Sequence, residues 1–238
     1  MSEFSRALTG ALSQLNISPQ GDELEKCQGY CQMLLKTNET MNLTAITDPE
    51  EVAIKHFADS LSLIKHVSIR EGASIIDIGT GAGFPGVVLS IFRPDLKVML
   101  LDSLAKRCKF LVNLCHELGL TNAQVINARA EDAAKDAELR EQLDYATARA
   151  VASLPVLLEY ALPFLSPGGE FLAMKGHREE FDLTRALQEL GGEELEVIPY
   201  NLVVSGEDRH IYKFKKTSPT PDKYPRRNGK VSKKPLIG

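Results

Sequence analysis

Three glycines at alternate positions are the first residues in this sequence whose spacing suggests chemistry. Gly79, Gly81 and Gly83 follow the apolar run 74–78, which is typical of a buried strand, and an apolar helical pattern begins near Gly86. Glycine adopts positive φ readily and lets a ligand approach the backbone without a Cβ in the way. A strand, a tight glycine turn and a helix form the first unit of a doubly wound sheet, so this stretch predicts a cofactor site.

Residues 77–86 match the sequence patterns of two different cofactor sites. Gly81-x-Gly83-x-x-Gly86 is the dinucleotide pattern, whereas Asp77-x-Gly79-x-Gly81-x-Gly83 is the pattern of enzymes that use S-adenosylmethionine (SAM). Asp77 stands two residues before the first glycine, where a carboxylate suits the cationic amino group and sulfonium of SAM and is poorly placed beside a pyrophosphate. The chain also shows no second nucleotide-binding half and no obvious acid for hydride transfer, so we favour SAM.

Polar residues also mark the ends of the next predicted strands. In an open α/β sheet, ligands bind beyond the carboxyl ends of the strands. Asp102 ends the second strand, where a carboxylate can accept both ribose hydroxyls of an adenosine-bearing cofactor. Ala130 and Glu131 follow the third strand, where they can meet an adenine edge, and Arg149 ends the fourth. Together these residues favour one adenosine pocket.

Each of these residues also has a structural interpretation. Asp77 could cap a helix, and Asp102 could be the N-cap of the helix that follows it. Glu131 could be a surface carboxylate, and Arg149 could be the partner in a structural ion pair. Residue type and position alone leave both interpretations open for each of the four.

The residues after the fourth strand limit the methyl acceptor. Methylation of an adenine or cytosine amino group usually shows an Asn/Asp-Pro-Pro-aromatic motif there, but residues 150–155 read Ala-Val-Ala-Ser-Leu-Pro. Cytosine C5 methylation needs a cysteine nucleophile, and none lies within 30 residues of Arg149. An acceptor that is already nucleophilic, such as guanine N7, needs neither feature. Catalysis then reduces to positioning, so we assign no catalytic residue.

The elements that must position these residues follow from apolar periodicity. Helical spacing predicts helices over residues 3–15, about 22–37 and about 49–63, with Phe4, Leu8, Leu12 and Leu15 on one face of the first, and residues 38–47 are predicted to be a loop. A later helix is predicted from about residue 179 to 190. We interpret residues 1–70 as a helical cap because no flexible linker separates them from the strand. Within residues 71–216, seven strands alternate with helices, which predicts a mainly parallel seven-stranded sheet with helices on both faces. Residues 217–238 form a basic tail that is poor in apolar residues and is predicted to be mobile.

The net charge of −4 conceals an uneven distribution. The last 26 residues, from Lys213 onward, carry a net charge of +8, and the preceding 212 residues carry −12. A basic tail is either a solvated end or a contact for a polyanion.

The remaining composition excludes several classes of protein. No apolar stretch approaches a membrane span of about 18 residues, and the polar, amphipathic first 20 residues lack a signal core, so we expect a cytoplasmic protein. The four cysteines fall on apolar helical stripes and lack metal-ligand spacing, which predicts buried thiols and no metal site. We expect a monomer, because no apolar surface excess is evident.

Seven segments resemble the glucose-inhibited division protein B family of bacterial small-subunit ribosomal RNA guanine-N7 methyltransferases. They are Asn42-Leu-Thr-Ala-Ile46, His56-Phe-Ala-Asp-Ser60, Asp77-Ile-Gly-Thr-Gly-Ala-Gly-Phe-Pro-Gly86, Ala128-Arg-Ala-Glu131, Arg149-Ala-Val151, Met174-Lys-Gly176 and Tyr224-Pro-Arg-Arg-Asn-Gly-Lys230. The glycine motif is generic, whereas the Asn42 and His56 segments and the tail make the resemblance specific.

The resemblance implies a class I SAM-dependent methyltransferase that modifies N7 of one guanine in the 530 loop of 16S rRNA, either as naked RNA or within the small ribosomal subunit. The residues expected at the cofactor are Asp77, Gly79, Thr80, Gly81, Gly83, Phe84, Asp102, Ser103, Ala130, Glu131 and Arg149. The residues expected to bind RNA are Lys106, Arg107, Arg209, His210, Arg226, Arg227, Lys230, Lys233 and Lys234. His56 and Asp59, one helical turn apart, are expected to support Asn42 or Thr44. A small-molecule methyltransferase and a SAM-binding regulator are the alternatives.

Overall fold

The computed structural model describes residues 1–227 and 229–237, which contain one seven-stranded sheet. The strands are β1 (Ser74–Ile78), β2 (Lys97–Asp102), β3 (Ala123–Asn127), β4 (Leu143–Arg149), β5 (Leu165–Lys175), β6 (Gly192–Asn201) and β7 (Asp208–Lys216). Their order across the sheet is β3-β2-β1-β4-β5-β7-β6. The first five strands pair in parallel, and β7 pairs antiparallel with both β5 and β6. The predicted mainly parallel sheet is confirmed.

Helices cover both faces of this sheet. They are α1 (Glu3–Leu15), α2 (Glu23–Met41), α3 (Pro49–Val52), α4 (Asp59–His66), α5 (Gly86–Phe92), α6 (Ala105–Glu117), α7 (Ala130–Ala133), α8 (Leu154–Ala161), α9 (Thr184–Leu190) and α10 (Lys230–Lys233). A π-helical stretch, Ala53–Ala58, joins α3 to α4, and a 3-10 turn, Leu162–Phe164, follows α8.

Two apolar cores lie on opposite faces of the sheet. The first contains α1, α2 and the π-helical stretch together with α5 and α6, and the second contains α8 and α9. Phe57 packs edge-on against Phe4 and Tyr30, with ring centroids 4.9 and 5.0 Å apart. The N-terminal helices are therefore one packed layer against the sheet.

Helix α1 shows how local sequence sets an element of this layer. Ser2 Oγ accepts a hydrogen bond from the backbone N–H of Ser5, which satisfies a donor at the helix N-terminus. Phe4 and Leu12 are buried on the predicted apolar face. Asn16 adopts a left-handed conformation and ends the helix.

Several predicted boundaries differ from the structure. Helix α2 continues to Met41, where the left-handed Asn42 ends it, so residues 38–41 are helical rather than part of the predicted loop. Helix α9 begins at Thr184, not near residue 179, because the Asp182 carboxylate accepts the Thr184 N–H and favours a turn before the helix.

The predicted mobility of residues 217–238 is wrong for the described part of this tail. Tyr224, Val231 and Leu236 are buried, and the first and last of these belong to the second core. Arg140 Nη1 donates to the Tyr224 carbonyl oxygen at 2.9 Å. Composition suggested mobility because the few anchoring residues are widely spaced and their partners lie far away in sequence.

The four cysteines are free and buried, as their helical spacing predicted. Within residues 1–227 and 229–237, no helix combines the length and the apolar character that crossing a membrane requires.

Candidate functional site

The turn after β1 requires glycine at two positions for both conformation and space. Gly79 and Gly83 have φ of +67° and +109°. A Cβ on Gly79 would lie 2.8 Å from Val151 Cγ2, and a Cβ on Gly83 would lie 2.6 Å from the Tyr30 hydroxyl oxygen. These values are below any normal carbon contact, so the turn closes only without side chains at both positions.

Asp77, at the end of β1, stabilises this turn by hydrogen bonds with residues within it and at the start of α5. Its Oδ2 accepts hydrogen bonds from Thr80 Oγ1 at 2.7 Å and from the Gly86 N–H at 2.8 Å. Its Oδ1 is buried without a hydrogen-bond partner in the described part of the chain. Burial raises the pKa of Asp77 to about 6, because a low-dielectric environment disfavours the carboxylate. Asp77 therefore supports the start of α5, which is the structural interpretation, and also carries an unused acceptor oxygen.

A cavity of about 240 Å³ lies beyond the carboxyl ends of β1, β2 and β3, and we call it the cofactor cavity. Five of the predicted cofactor-site residues line it, namely Gly79, Asp102, Ser103, Ala130 and Glu131. Further lining residues include Arg129 and Val151, which lie in segments that carry the family resemblance but had no assigned role, and Tyr160 and Ser232, which the sequence did not indicate. The cavity lies where ligands bind in open α/β sheets.

Asp102 combines a structural contact with exposure to this cavity. Its Oδ1 accepts the Leu104 N–H at 2.8 Å, just before α6, and its Oδ2 accepts the Gly81 N–H at 3.0 Å. Arg107 Nη1 lies 3.5 Å from the same Oδ2. The carboxylate thus fixes the glycine turn relative to α6 and lines the cofactor cavity.

Glu131 forms another buried part of the cavity wall. Its Oε1 is buried and has no hydrogen-bond partner among residues 1–227 and 229–237. Burial, followed by the neighbouring Glu131 carboxylate, raises the pKa of Tyr160 to about 12. Glu131 is therefore not the surface carboxylate of the alternative interpretation.

A second, larger cavity of about 600 Å³ lies beyond β4 and β5, and we call it the acceptor cleft. Residues from the N-terminal helices, from the ends of β4 and β5, and from β6 and β7 line it. They include Ile46, Lys55, His56, Asp59, Arg149, Met174, Lys175, Glu179, Tyr200 and Arg209.

Arg149 is held at the wall of this cleft by the N-terminal helical layer. Its Nη1 donates to Asp59 Oδ2 at 2.8 Å and to the Lys55 carbonyl oxygen at 3.1 Å, and its Nη2 lies 3.1 Å from His56 Nδ1. The guanidinium also lies over the Phe84 ring, 5.3 Å from its centroid. The ion-pair interpretation of Arg149 therefore agrees with the structure.

The contacts of His56 determine its tautomer. A guanidinium only donates hydrogen bonds, so His56 Nδ1 must accept from Arg149. Its Nε2 then carries the proton and donates to Thr44 Oγ1 at 2.8 Å. Burial, with the adjacent guanidinium, lowers the pKa of His56 to about 3, so the ring is neutral. The predicted support of Thr44 by His56 is confirmed.

Asp59 links the helical layer to β6 and β7 at one edge of the sheet. The Tyr200 hydroxyl donates to its Oδ1 at 3.0 Å, and Arg209 Nε lies 3.6 Å from the same oxygen. Burial and the Asp59 carboxylate raise the pKa of Tyr200. Asp59 therefore joins Arg149 and Arg209 within one buried network rather than contacting the Asn42 segment.

Lys175 orders the loop after β4. It is buried, with Nζ 2.8 Å from Glu179 Oε1 and within hydrogen-bond distance of the Ala152 carbonyl oxygen. Glu179 Oε2 accepts the Leu154 N–H at 3.0 Å, at the start of α8. This ion pair fixes the position of residues that line the acceptor cleft.

Val151 separates the two cavities. Among the described residues it alone lines both the cofactor cavity and the acceptor cleft. The preceding Ala150 has a φ of +57°, an uncommon conformation for a residue with a side chain. The Val151 side chain lies against Gly79, at the point where β1 and β4 end side by side.

Some predicted cofactor residues lie beneath the cavity rather than in its wall. Phe84 is buried between Tyr30 and His56, with ring centroids 4.9 and 4.6 Å away. Thr80 is buried against Asp77. The structure gives these residues packing roles, and a direct contact with the cofactor stays a prediction for them.

Three of the predicted RNA-binding arginines are paired with carboxylates. Arg107 pairs with Asp102, Arg209 with Glu207 and Asp59, and Arg226 with the buried Glu159. His210 is half-buried on β7.

The other predicted cations are exposed and form no ion pair within residues 1–227 and 229–237. They are Lys106, Arg227, Lys230, Lys233 and Lys234.

No group of three or more His, Cys, Asp or Glu side chains in the described ranges is close enough to hold a metal ion.

The chain matches the family model described as rRNA small subunit methyltransferase G over residues 23–212. It is 49% identical over 235 residues to the Ribosomal RNA small subunit methyltransferase G of Desulfitobacterium hafniense, covering 97% of each chain. It is 45% identical over 236 residues to the protein of the same name from Acetivibrio thermocellus, covering 98% of this chain and 97% of the relative.

Solved structures share this fold at low sequence identity. A SAM dependent methyltransferase from Aquifex aeolicus has a TM-score of 0.57 at 18% identity, covering 74% of this chain and 97% of that one. A 16S rRNA (adenine(1408)-N(1))-methyltransferase from Catenulisporales acidiphilia has a TM-score of 0.51 at 17% identity, covering 62% and 89%. The predicted class I methyltransferase fold is confirmed.

Proposed function

Because this chain belongs to the rRNA small subunit methyltransferase G family, we propose that it transfers a methyl group from SAM to N7 of one guanine in the 530 loop of 16S rRNA. The substrate class rests on the family. The nitrogen and the loop rest on the sequence motifs that resemble guanine-N7 methyltransferases. The observation that carries the proposal is the meeting of the cofactor cavity and the acceptor cleft at Val151.

The chemistry of the cofactor cavity fits SAM. Glu131 Oε1, in the cavity wall, is a buried acceptor without a partner among the described residues, and such an atom favours a ligand that supplies a donor. Asp77 Oδ1 is a second such acceptor, but Asp77 lies under the glycine turn and does not line the cavity. SAM carries an ammonium group, ribose hydroxyls and an adenine amino group. We assign Asp102 to the ribose, Ala130 and Glu131 to the adenine edge, and Asp77 to the amino-acid end. When bound, SAM supplies an electrophilic methyl group.

The acceptor cleft suits a guanine whose N7 is already nucleophilic. That nitrogen has an unprotonated lone pair at neutral pH and takes no part in Watson–Crick pairing, so its methylation needs no general base. The imidazole of His56 is correspondingly committed to Arg149 and Thr44. The chain's contribution is to hold the base near Val151 and exclude water.

The exposed lysines of the C-terminal segment suit the sugar-phosphate backbone around the target. Lys230, Lys233 and Lys234 carry unpaired charge in the described part of the chain, and such side chains give affinity without reading sequence. An enzyme that modifies ribosomal RNA works where ribosomes are made, so we place it in the cytoplasm. We propose that it acts as a monomer.

The test is primer extension on 16S rRNA after chemical cleavage at N7-methylguanine, with RNA from cells that carry or lack the gene. We expect one cleavage site, in the 530 loop, to disappear in the deletion strain and to return with a plasmid copy. An unchanged cleavage pattern would refute the RNA substrate and leave a small-molecule methyltransferase or a SAM-binding regulator. Loss of a site elsewhere would correct the target and keep the reaction.

A further inference from the structure

The C-terminal segment is attached to the fold by an ion pair inside the second core. We define this segment as residues 224–227 and 229–237. Glu159, on α8, is fully buried, and the Arg226 backbone N–H donates to its Oε1 at 2.7 Å. Arg226 Nε donates to both carboxylate oxygens at 2.8 and 3.0 Å, and Nη2 donates to Oε2 at 2.5 Å. A buried carboxylate satisfied in this way favours this position of its partner, because separating them would leave a charge unpaired.

Apolar contacts and a second hydrogen bond reinforce this attachment. Tyr224 and Leu236 are buried in the second core, and Val231 is fully buried on α10. The Tyr224 hydroxyl bonds to the Glu189 carboxylate on α9. The segment is thus held against α8 and α9 by residues that precede and follow Arg226 in the sequence, and we call this its seated position.

The seated segment forms part of the cofactor cavity. Ser232, on α10, lines this cavity together with Tyr160 and Glu131. Tyr160 directly follows Glu159, so the ion pair that anchors the segment lies next to a wall residue of the cavity. The cavity volume of about 240 Å³ is below the usual range for ligand sites, which starts near 300 Å³. The seated segment therefore bounds the cavity on this side.

The other side of the segment carries charge that is directed to solvent. Arg227, Lys230, Lys233 and Lys234 are exposed and form no ion pair within the described ranges. On α10, Ser232 lining the cavity and Lys233 in solvent are adjacent residues. One short helix therefore connects the cofactor cavity with a cationic surface.

We propose that the C-terminal segment is a wall of the SAM site, and that RNA phosphates bound to its exposed cations hold this wall in place, so that RNA and SAM bind cooperatively. The coupling half of the proposal rests on the proposed function, and the wall half does not. By linkage, RNA must raise the affinity for SAM by the same factor by which SAM raises the affinity for RNA.

The wall is tested without RNA by a matched pair of substitutions in the full chain. Ser232→Trp places a large side chain at the cavity, whereas Lys233→Trp places the same side chain on the solvent side of the same helix. Calorimetry should show SAM binding at least tenfold weaker for Ser232→Trp and changed less than twofold for Lys233→Trp. If the two substitutions weakened SAM binding equally and the two variants had equal urea midpoints, the proposal that the segment is a wall of the SAM site would be wrong.

The coupling is tested by measuring SAM affinity with and without purified 16S rRNA. We expect rRNA to tighten SAM binding of the natural chain about fivefold or more, the scale of typical coupling between sites. A triple variant with Lys230, Lys233 and Lys234 each changed to Gln should keep its SAM affinity without rRNA and lose the tightening.

The outcomes separate this proposal from the proposed function. If rRNA binds to the natural chain but leaves SAM affinity unchanged, the coupling is overturned although the RNA substrate stands. If rRNA does not bind at all, the proposed function fails and the coupling with it. The comparison of Ser232→Trp with Lys233→Trp still tests whether the segment is a wall of the SAM site, because that experiment uses SAM without RNA.

Discussion

Replacing Asp59 by asparagine should strongly destabilise the protein, because this carboxylate ties the N-terminal helical layer to the sheet. Its Oδ2 accepts from Arg149 at the end of β4, and its Oδ1 accepts from Tyr200 on β6 and lies 3.6 Å from Arg209 on β7. Asp59 and both arginines have little exposed side-chain surface. The substitution therefore removes a negative charge shared by two buried guanidinium groups.

The expected magnitude follows from what asparagine keeps. Removing one partner of a buried ion pair typically costs about 3–5 kcal/mol, because the other charge stays buried without compensation. The amide oxygen of the introduced asparagine would still accept from Arg149, while its NH₂ would face Tyr200, whose hydroxyl can turn to accept. We therefore expect the free energy of unfolding to fall by about 3 kcal/mol, the lower end of this range.

Urea unfolding, monitored by circular dichroism, should show this loss of stability as a lower midpoint urea concentration with an unchanged slope of free energy against urea. The matched control is Glu51→Gln, which removes the charge from an exposed pair with Lys55 in the same run of helices. Exposed pairs contribute little, so the control midpoint should not move. SAM affinity should stay within twofold, since Asp59 lines only the acceptor cleft. If Asp59→Asn shifted the midpoint no more than Glu51→Gln, the idea that Asp59 ties the two layers together would be refuted.

Three further predictions test the site and the charged surface. Burial lowers the pKa of His56 from about 6.5 in the unfolded chain to about 3 in the folded protein, so the stability that neutral His56 contributes is complete above pH 6.5 and is lost as the pH falls toward 3. His56→Gln should therefore flatten the pH dependence of the free energy of unfolding in urea over that range. If the natural chain and the variant lost stability in parallel as the pH fell, this prediction would be contradicted. Asp102→Ala should weaken SAM binding by roughly 1–3 kcal/mol in calorimetry, the scale for losing charge-assisted hydrogen bonds, and an unchanged affinity would mean that Asp102 only orders the turn before α6. Changing Lys230, Lys233 and Lys234 to Gln should reduce the slope of log affinity for 16S rRNA against log salt by about two, at 0.7–0.9 per phosphate contact, and an unchanged slope would remove these lysines from the RNA surface.

The sheet could be predicted because its signals are local. The run before Gly79 is apolar and short, a glycine turn follows it, and β1 occupies residues 74–78 as predicted. Apolar runs of this kind recur in β2 and in the second half of β5, and the alternation of strands with helices then specifies the layer arrangement. Asp102 and Glu131 were placed at strand ends for the same reason, and both line the cofactor cavity.

The acceptor cleft could not be predicted in the same way, because its contacts join distant segments. Arg149 meets Asp59 across 90 residues, and Tyr200 meets it across 141. Spacing along one helix or strand carries no information about such pairs. Lys175 falls within a segment that carried the family resemblance, which was a signal without an assigned role. Ser232 had no signal at all, since its place in the cavity wall depends on how the C-terminal segment is seated.

The same long-range pairing decides how many of the basic residues near the C-terminus can meet RNA. From Lys213 onward the sequence has nine Lys and Arg residues, and four of them form ion pairs with carboxylates elsewhere in the fold. At most five remain for phosphates in the described structure, which bounds the salt slope from this region near −4, whereas all nine would give about −7. Truncation at residue 217 would remove buried Tyr224 and the Arg226–Glu159 pair as well as charge. Loss of activity on truncation would therefore not show RNA binding, and only charge-neutralising substitutions at exposed lysines separate the electrostatic role of this region from its structural one.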